Sequence, residues 1–313
     1  MTRLTFTEFD AFAEVVRDAS VTMRMCSQEV ANWTLQYATV GSLGVQQGFE
    51  GGGSIAEGAT GSDGWTFYHQ SHPVHANGQV MNTDEVFAAS PGSEFCLACK
   101  PSHTWITAFI PTSLLFPSTP ELECASCARP QLLKPPPHVT RRFTSLVHRF
   151  LSTTESQPQL LDHPAAVDSY RHELLSAAQA LFARCQHSTS RHFVRWRRLT
   201  TSTLELAMSH PDQSLAVWEL ARQIGVPERT LRTAFQKSYG LSPQEYLRIQ
   251  RLYQARRLLR ASWQDQTTVT QVAFGLGFWD LGRFAGAYRT LFGERPSETL
   301  RKPARVVIGV RGN

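Results

Sequence analysis

The sequence lacks the features that mark secreted, membrane-spanning and disulfide-stabilised proteins. None of its 313 residues belongs to an apolar run of ~18 residues, the length that a helix needs to cross a bilayer. The first twelve residues, MTRLTFTEFDAF, place no apolar segment behind their positive charge, so no secretion signal is indicated. The six cysteines are therefore expected to be reduced thiols or metal ligands. We expect a cytoplasmic protein without membrane contacts.

Motifs for phosphate binding and catalysis are missing as well. The segment GFEGGGS, residues 48–54, is rich in glycine but follows no phosphate-loop pattern, and we take its glycines as a break between strands. We therefore expect no enzyme activity and no cofactor.

Charge is distributed unevenly along the chain. Residues 1–196 contain 13 Lys and Arg against 17 Asp and Glu, whereas residues 197–313 contain 18 against 9. A solvated basic face would explain this difference, but so strong a bias within one third of the chain is typical of a nucleic-acid-binding surface.

The pattern of secondary structure divides the chain at the same place. Short β-rich runs separated by Gly, Pro and Asn77-Gly78 fill residues 6–116 and predict a sandwich or small barrel. Residues 117–137, rich in Pro, Ser and Cys, indicate a linker or surface loop. Helical patterns follow, so the fold class is α+β with two domains.

One helical segment carries a narrow apolar seam. Its apolar residues recur at intervals of three and four, the spacing that pairs helices, although the seam is too short for a self-sufficient coiled coil. We assign homodimerisation to Val167, Tyr170, Leu174 and Leu181.

The last third contains an internal repeat. Residues 217–243 and 269–296 each predict an amphipathic helix, a glycine turn at Gly225 or Gly277, and a second helix that ends at a further glycine. This is the geometry of a helix-turn-helix unit, whose second helix lies in the major groove of DNA. The units span residues 217–239 and 269–292, and the aromatic residues of 272–298 are predicted to be core.

A helix between the two units sets their separation. Ser242 as N-cap, Pro243 at the first helical position and Glu245 completing a capping box predict its start, and it extends to about residue 260. A helix of ~25 Å between two units is suited to placing two recognition helices ~34 Å apart, one turn of DNA.

The C-terminal third resembles the AraC/XylS family of bacterial transcription regulators. The residues that carry the resemblance are Leu220, Ala221, Gly225, Val226, Leu231, Phe235, Gly240, Ser242, Pro243, Tyr246, Leu247, Arg251, Leu252, Ala255, Leu258, Leu259, Val269, Val272, Ala273, Gly277, Phe278, Phe284, Tyr288, Phe292, Gly293 and Pro296. The resemblance implies binding to double-stranded operator DNA, RNA polymerase as a partner, and activation of transcription.

The N-terminal region is similar, far more weakly, to the cupin-like sensory domains of such regulators. The PGSEF stretch at 91–95 resembles regulators of ethanolamine-type operons. The resemblance implies ligand sensing by residues 1–135, a helical dimerisation segment at 136–195 and a DNA-binding domain at 196–303.

The first recognition helix offers the clearest base readers. With Leu231 and Phe235 directed inward, Arg229 and Arg232 share one outward face, where each could bind guanine or, alternatively, a phosphate. The full set of predicted DNA contacts is Arg229, Thr230, Arg232, Thr233, Gln236, Lys237, Arg251, Asp280, Leu281, Arg283 and Arg289.

The second recognition helix departs from the family pattern. Leu281, Gly282, Ala285 and Gly286 occupy positions where polar readers are common, and Asp280 is expected as N-cap. We therefore expect this helix to make few base-specific contacts.

The N-terminal domain offers candidates for an effector site and for a metal site. The predicted effector residues are Trp65, Phe67, His69, His103 and Trp105, although a filled core explains them equally. The spacing of Cys96, Cys99, Cys124 and Cys127 allows a zinc site as an alternative to plain thiols or a redox switch, and His69, His72, His75 and His103 lack the cupin metal motif.

Two classes of function remain open at this point. The first is a ligand-responsive transcription regulator with an unknown small-molecule effector. The second is a cupin-type binding or catalytic domain tethered to DNA, or a regulator controlled by a protein partner.

Overall fold

A computed structural model describes residues 2–16, 19–116, 130–183, 186–188, 193–209, 215–261 and 267–301. The chain divides into two compact units: the first holds residues 1–196 and 237–240, and the second holds residues 197–236 and 241–313. The first unit combines a β-sheet with helices and the second is helical, which confirms the predicted α+β class.

The first unit contains eleven strands in its described part, all in one antiparallel sheet. Their hydrogen-bonded order is β11-β10-β7-β4-β9-β3-β8-β5-β6, and β2 pairs with both β1 and β3. The strands are β1 (Thr2–Phe6), β2 (Ala19–Val40), β3 (Leu43–Thr60), β4 (Gly64–Gln70), β5 (Val74–Ala76), β6 (Gln79–Met81), β7 (Val86–Ala89), β8 (Glu94–Ala98), β9 (His103–Pro111), β10 (Gln131–Lys134) and β11 (Gln186–Ser188).

The long strand β3 gives the sheet its barrel shape. On one side it pairs with β9 through residues 44–50 and then with β8 through residues 55–59, while β2 follows it on the other side. The sheet thereby curls into a nearly closed barrel, as the sequence predicted.

The glycine run 51–53 lies within β3 and does not separate two strands, so that prediction was wrong. The register between β2 and β3 shifts beside these glycines, between Gln28 and Trp33. A Cβ atom at Gly51 would collide with the carbonyl oxygen of Val30. The run therefore serves close approach of two strand backbones at a bulge. The predicted turn at Asn77 and Gly78 is present between β5 and β6.

Helices cover one face of the sheet. The helices of the first unit are α1 (Phe9–Ala13), α2 (Thr112–Leu115), α3 (Pro137–Ser156) and α4 (Pro164–Ala183). The core beneath α3 and α4 includes Trp65 and Phe67 of β4 with Phe143 of α3, all buried.

The predicted dimerisation seam lies inside this core. Leu174 and Leu181 are buried, and Val167 and Tyr170 pack against the same cluster. The ring centroid of Tyr170 lies 5.1 Å from that of Phe150 of α3. The seam does pair helices, but its partners belong to the same chain. The sequence could not show this, because helical spacing identifies a buried face and not the element that buries it.

The second unit contains the predicted tandem of helices. The helices that lie wholly or mostly in it are α5 (Phe193–Ser209), α6 (Val217–Ile224), α7 (Glu228–Tyr239), α8 (Pro243–Ala261), α9 (Val269–Gly275), α10 (Leu281–Phe292) and α11 (Pro296–Arg301). No helix in the described segments of the chain is long and apolar enough to cross a membrane.

The ends of these helices follow the predicted capping chemistry. Gly225 and Gly277 have φ of 76° and 72°, which ends α6 and turns the chain after α9. At α8, the Ser242 amide donates to Glu245 Oε2 over 2.9 Å and the Glu245 amide donates back to Ser242 Oγ over 3.3 Å. Two helices, α5 and α11, were not predicted. For α11, Pro296 was taken as a stop, although proline also suits a first helical turn.

Candidate functional site

The first recognition helix is α7, whose inner face is largely apolar. Leu231, Ala234 and Phe235 are completely buried. The ring of Phe235 meets that of Tyr246 of α8 edge-on, with centroids 5.6 Å apart. These contacts hold α7 in place and leave its opposite face free.

The opposite face of α7 presents polar side chains. Arg229, Arg232, Gln236 and Lys237 are exposed, and Thr230 and Thr233 are half-buried.

The face is already organised by contacts within the helix. Arg232 Nε donates to Glu228 Oε1 over 2.7 Å, and Thr233 Oγ1 donates to the carbonyl oxygen of Arg229 over 2.8 Å. Arg232 is therefore held along the helix while remaining about half exposed. Such a face presents donors to base edges and phosphates.

The second recognition helix, α10, starts as predicted. The Asp280 side chain accepts from the Arg283 amide over 2.9 Å, which makes Asp280 the N-cap. Arg283 is 90% exposed and lies 3.3 Å from Asp280 Oδ2. Phe284, Tyr288 and Leu291 form the buried face.

Exposed apolar side chains flank the start of α10 and form what we name the 274–281 patch: Phe274, Trp279 and Leu281. Trp279 is 70% exposed, and its ring stacks on that of Phe274 with centroids 5.7 Å apart. The prediction that all aromatics of this segment are core was therefore wrong. The sequence could have shown that Trp279 is exposed, because it lies in the turn before α10 and does not continue the apolar spacing of that helix.

The two remaining predicted DNA contacts differ in setting. The Arg251 guanidinium of α8 lies 5.3 Å from the ring of Phe278, and burial lowers the pKa of Arg251. Arg251 thus packs on the turn between α9 and α10. Arg289 is exposed in the last turn of α10.

The first unit contains a cavity on the sheet face opposite α3 and α4. Its volume is about 80 Å³, and it is partly open. Apolar side chains make up most of its wall, among them Val21, Met23, Phe87, Phe95 and Leu97.

Nine of the described residues that line the cavity carry polar groups. They are Gln46, Glu50, Ser54, Thr60, Thr66, Tyr68, Cys99 and Thr107, together with the indole of Trp105. Trp105 Nε1 donates to Glu50 Oε1 over 2.8 Å, and the Cys99 thiol lies 4.0 Å from Glu50 Oε2. Glu50 is only 2% exposed, and burial raises its pKa to about 7.

Comparison with known proteins assigns the helical unit. A helix-turn-helix domain family matches residues 220–302, a span that includes the second unit and all but the first three residues of the first. The probable thc operon regulatory protein of Rhodococcus erythropolis is 34% identical over 168 residues, which cover 52% of this chain and 49% of that protein. The XylDLEGF operon transcriptional activator 3 of Pseudomonas putida is 39% identical over 90 residues, 29% of this chain and 27% of that protein.

Through this domain the chain belongs to the AraC/XylS family. A solved structure of a probable AraC family transcriptional regulator from Rhodopseudomonas palustris is 36% identical, covers 34% of this chain and 99% of that one, and has a TM-score of 0.31. The chain spans half or less of the length of these two curated relatives.

The sensory residues predicted for this AraC/XylS family member are divided between two sheet faces. Trp105 lines the cavity. Trp65 and Phe67 lie on the face covered by α3 and α4, so the structure does not bring them to it. Strand alternation places Tyr68 on the opposite face of β4 from Trp65 and Phe67, and Tyr68 is the β4 aromatic at the cavity.

The two predicted histidines take structural contacts. A ring nitrogen of His69 lies 2.8 Å from the carbonyl oxygen of Thr83. His103 is buried beside the Tyr68 hydroxyl, with Nε2 at 2.9 Å, and burial lowers the pKa of His103 to about 4. His103 is therefore neutral at physiological pH.

The cysteine pair of the first unit is also divided. Cys99 lines the cavity, whereas Cys96 is buried in β8 outside the lining. Cys124 and Cys127 lie outside the described residues.

Glu50 is the residue of this site that sequence reasoning missed. It stands directly before the glycine run 51–53, which drew attention only as a possible loop. Its neighbours on the same strand face are Gln46, Gly48, Gly52 and Ser54, so no apolar alternation in the sequence marked this position as part of a site.

Proposed function

We propose that this AraC/XylS family member is a sequence-specific regulator of transcription in the cytoplasm, acting as an activator of a bacterial operon. The observation that carries the proposal is the pair of helix-turn-helix units whose first recognition helix exposes Arg229 and Arg232 in the basic part of the chain. The names of the relatives, an operon regulatory protein and an operon activator, support it.

The proposed mechanism assigns different tasks to the two recognition helices. Arg229 and Arg232 of α7 read base edges, supported by Thr230, Thr233 and Gln236. On α10, Arg283 and Leu281 add contacts near the N-cap Asp280. Lys237 and Arg289 bind phosphates, and Arg251 supports the turn before α10 and contacts the backbone of the DNA.

The first unit supplies control in this proposal. A small molecule bound in the cavity around Glu50 and Trp105 changes the affinity for DNA, and by linkage DNA changes the affinity for the ligand equally. RNA polymerase is the partner at the promoter. A homodimer remains a prediction, and a surface other than the buried seam of α4 would have to form it.

Sequencing the DNA recovered by the full chain from fragmented genomic DNA, followed by titration of a recovered fragment, tests this function. We expect a shared motif and an affinity that falls steeply with salt, because phosphate contacts release counterions. Arg171→Ala on α4 is the control variant and should bind normally. Recovery of unrelated fragments would refute sequence-specific regulation. A motif whose binding ignores every cell metabolite would instead favour control by a protein partner.

A further inference from the structure

Glu50 places a carboxyl group inside a largely apolar cavity. The side chain is 2% exposed and lines the cavity wall together with Tyr68 and Trp105. The carboxyl group accepts hydrogen bonds from Trp105 Nε1, which binds Oε1, and from the Ser54 side chain, while Oε2 lies 4.0 Å from the weak donor Cys99 Sγ. No lysine, arginine or histidine is found among the described residues that line the cavity. A buried carboxylate without a lining cation is costly unless it takes up a proton or an occupant supplies a cation.

Two aromatic rings line the cavity together with this carboxyl group. The rings of Tyr68 and Trp105 both line the cavity, with centroids 6.4 Å apart and planes inclined by 31°. Aromatic faces attract cations through their quadrupole, and a cation shared by rings and a carboxylate is held more strongly when water is excluded. The remaining apolar wall accommodates a short hydrocarbon body.

The size of the cavity limits the occupant. Its volume of about 80 Å³ is roughly half that of an engineered cavity that holds benzene. An occupant of roughly three to five heavy atoms fits this space without movement of the walls.

We infer that the cavity binds a small primary amine in its protonated form, with the ammonium group against the Glu50 carboxylate and the alkyl part against Met23, Phe87 and Leu97. This inference rests on the proposed ligand control of the regulator and specifies the chemical class of the ligand. A carboxylate ligand would find no lining cation, and a neutral alcohol would leave the Glu50 charge unpaired.

The groups around Glu50 determine how binding depends on pH. Burial raises the pKa of Cys26 to about 12 and raises those of Tyr68 and Cys99 well above their usual values, so all three stay neutral. His103, behind Tyr68, is neutral as well. Glu50, with a pKa near 7, is therefore the group that ionises near neutrality. Because the ammonium ion binds the ionised form, affinity should rise about tenfold between pH 6 and pH 8.

Calorimetric titration of the full chain with three ligands of similar size tests the inference: n-propylamine, n-propanol and propionate. At pH 8 we expect saturable binding of the amine, at least tenfold weaker binding of the alcohol and none of propionate. Glu50→Gln preserves the shape of the carboxyl group and should lower amine affinity at least tenfold, to the level of the alcohol. Tighter binding or equal binding of either control ligand, or binding of none of the three, would overturn the inference.

Two further measurements keep the result interpretable. Wild-type affinity for the amine at pH 6 and pH 8 needs no variant, and equal affinities would also overturn the inference even if Glu50→Gln failed to fold. DNA binding of the same preparation without ligand tests the regulator separately. Normal DNA binding without an amine preference would refute the amine site and leave the proposed regulator standing. An amine preference without specific DNA binding would refute the regulator and leave the amine site standing.

Discussion

Glu228 and Arg232 form an ion pair on the face of α7 that we assign to DNA. The pair is exposed and has i,i+4 spacing, so breaking it costs only about 0.3–0.5 kcal/mol. A bidentate arginine–guanine contact contributes more, about 1–3 kcal/mol of discrimination. Arg232 can therefore leave Glu228 for a base edge, and until then the pair limits the conformations that the arginine samples.

Replacement of the two arginines should change both affinity and specificity. We expect Arg229→Ala and Arg232→Ala each to weaken specific binding by about 1–3 kcal/mol and to relax the preference at one base position. Lys237→Ala and Arg289→Ala should lower affinity for all sequences alike, because phosphate contacts carry no base information. Titration against a panel of mutated operators separates these effects. Full base discrimination by both arginine variants would show that the readers lie elsewhere.

At the scale of elements, the two recognition helices differ in the surface that they present. The face of α7 carries long polar side chains, whereas α10 has glycine at 282 and 286 and begins beside the 274–281 patch. Apolar side chains in the major groove contact the methyl group of thymine, and such contacts do not identify the other bases. Much of the specificity of α10 would then depend on backbone contacts and DNA shape.

Selection from random DNA should therefore yield one well-defined box and, about one turn away, a degenerate box with a preference for thymine. Trp279→Ser should reduce this thymine preference and leave the first box unchanged. Met208→Ser replaces a half-exposed apolar residue of α5 and serves as the matched control. Footprints should cover both boxes. Two boxes of equal information content would contradict the assignment.

At the scale of the whole molecule, α4 contributes to the core of the first unit. Leu174 and Leu181 of α4 share this core with Phe67 of the sheet and Phe143 of α3. Within the segment 136–195, which was predicted as a separate dimerisation element, α3 and α4 thus cover the sheet. We therefore expect the helices and the barrel of the first unit to unfold together.

A charge at Leu174 should consequently unfold the first unit. We expect Leu174→Asp to destabilise it by more than about 3 kcal/mol, because an unpaired carboxylate would replace a buried side chain. His172→Asp introduces the same charge on the exposed side of α4 and should be nearly neutral. Thermal unfolding measures the stability, and sedimentation measures the oligomeric state. A stably folded Leu174→Asp monomer beside a dimeric wild type would restore the seam to an interface between chains.

The sequence by itself determined the helix-turn-helix repeat, its glycine turns, the capping box at Ser242 and Glu245, and the N-cap Asp280. Each of these depends on interactions between residues a few positions apart, so local spacing suffices to predict it. Tertiary structure decided the rest: which face of β4 meets α3 and α4, what buries the seam of α4, and that Glu50 faces a cavity beside Trp105, which pairs with Gly48 across β3 and β9. Strand alternation and helical spacing show that a face is buried. The residues that cover it are distant in sequence and are brought to it by the curl of the sheet.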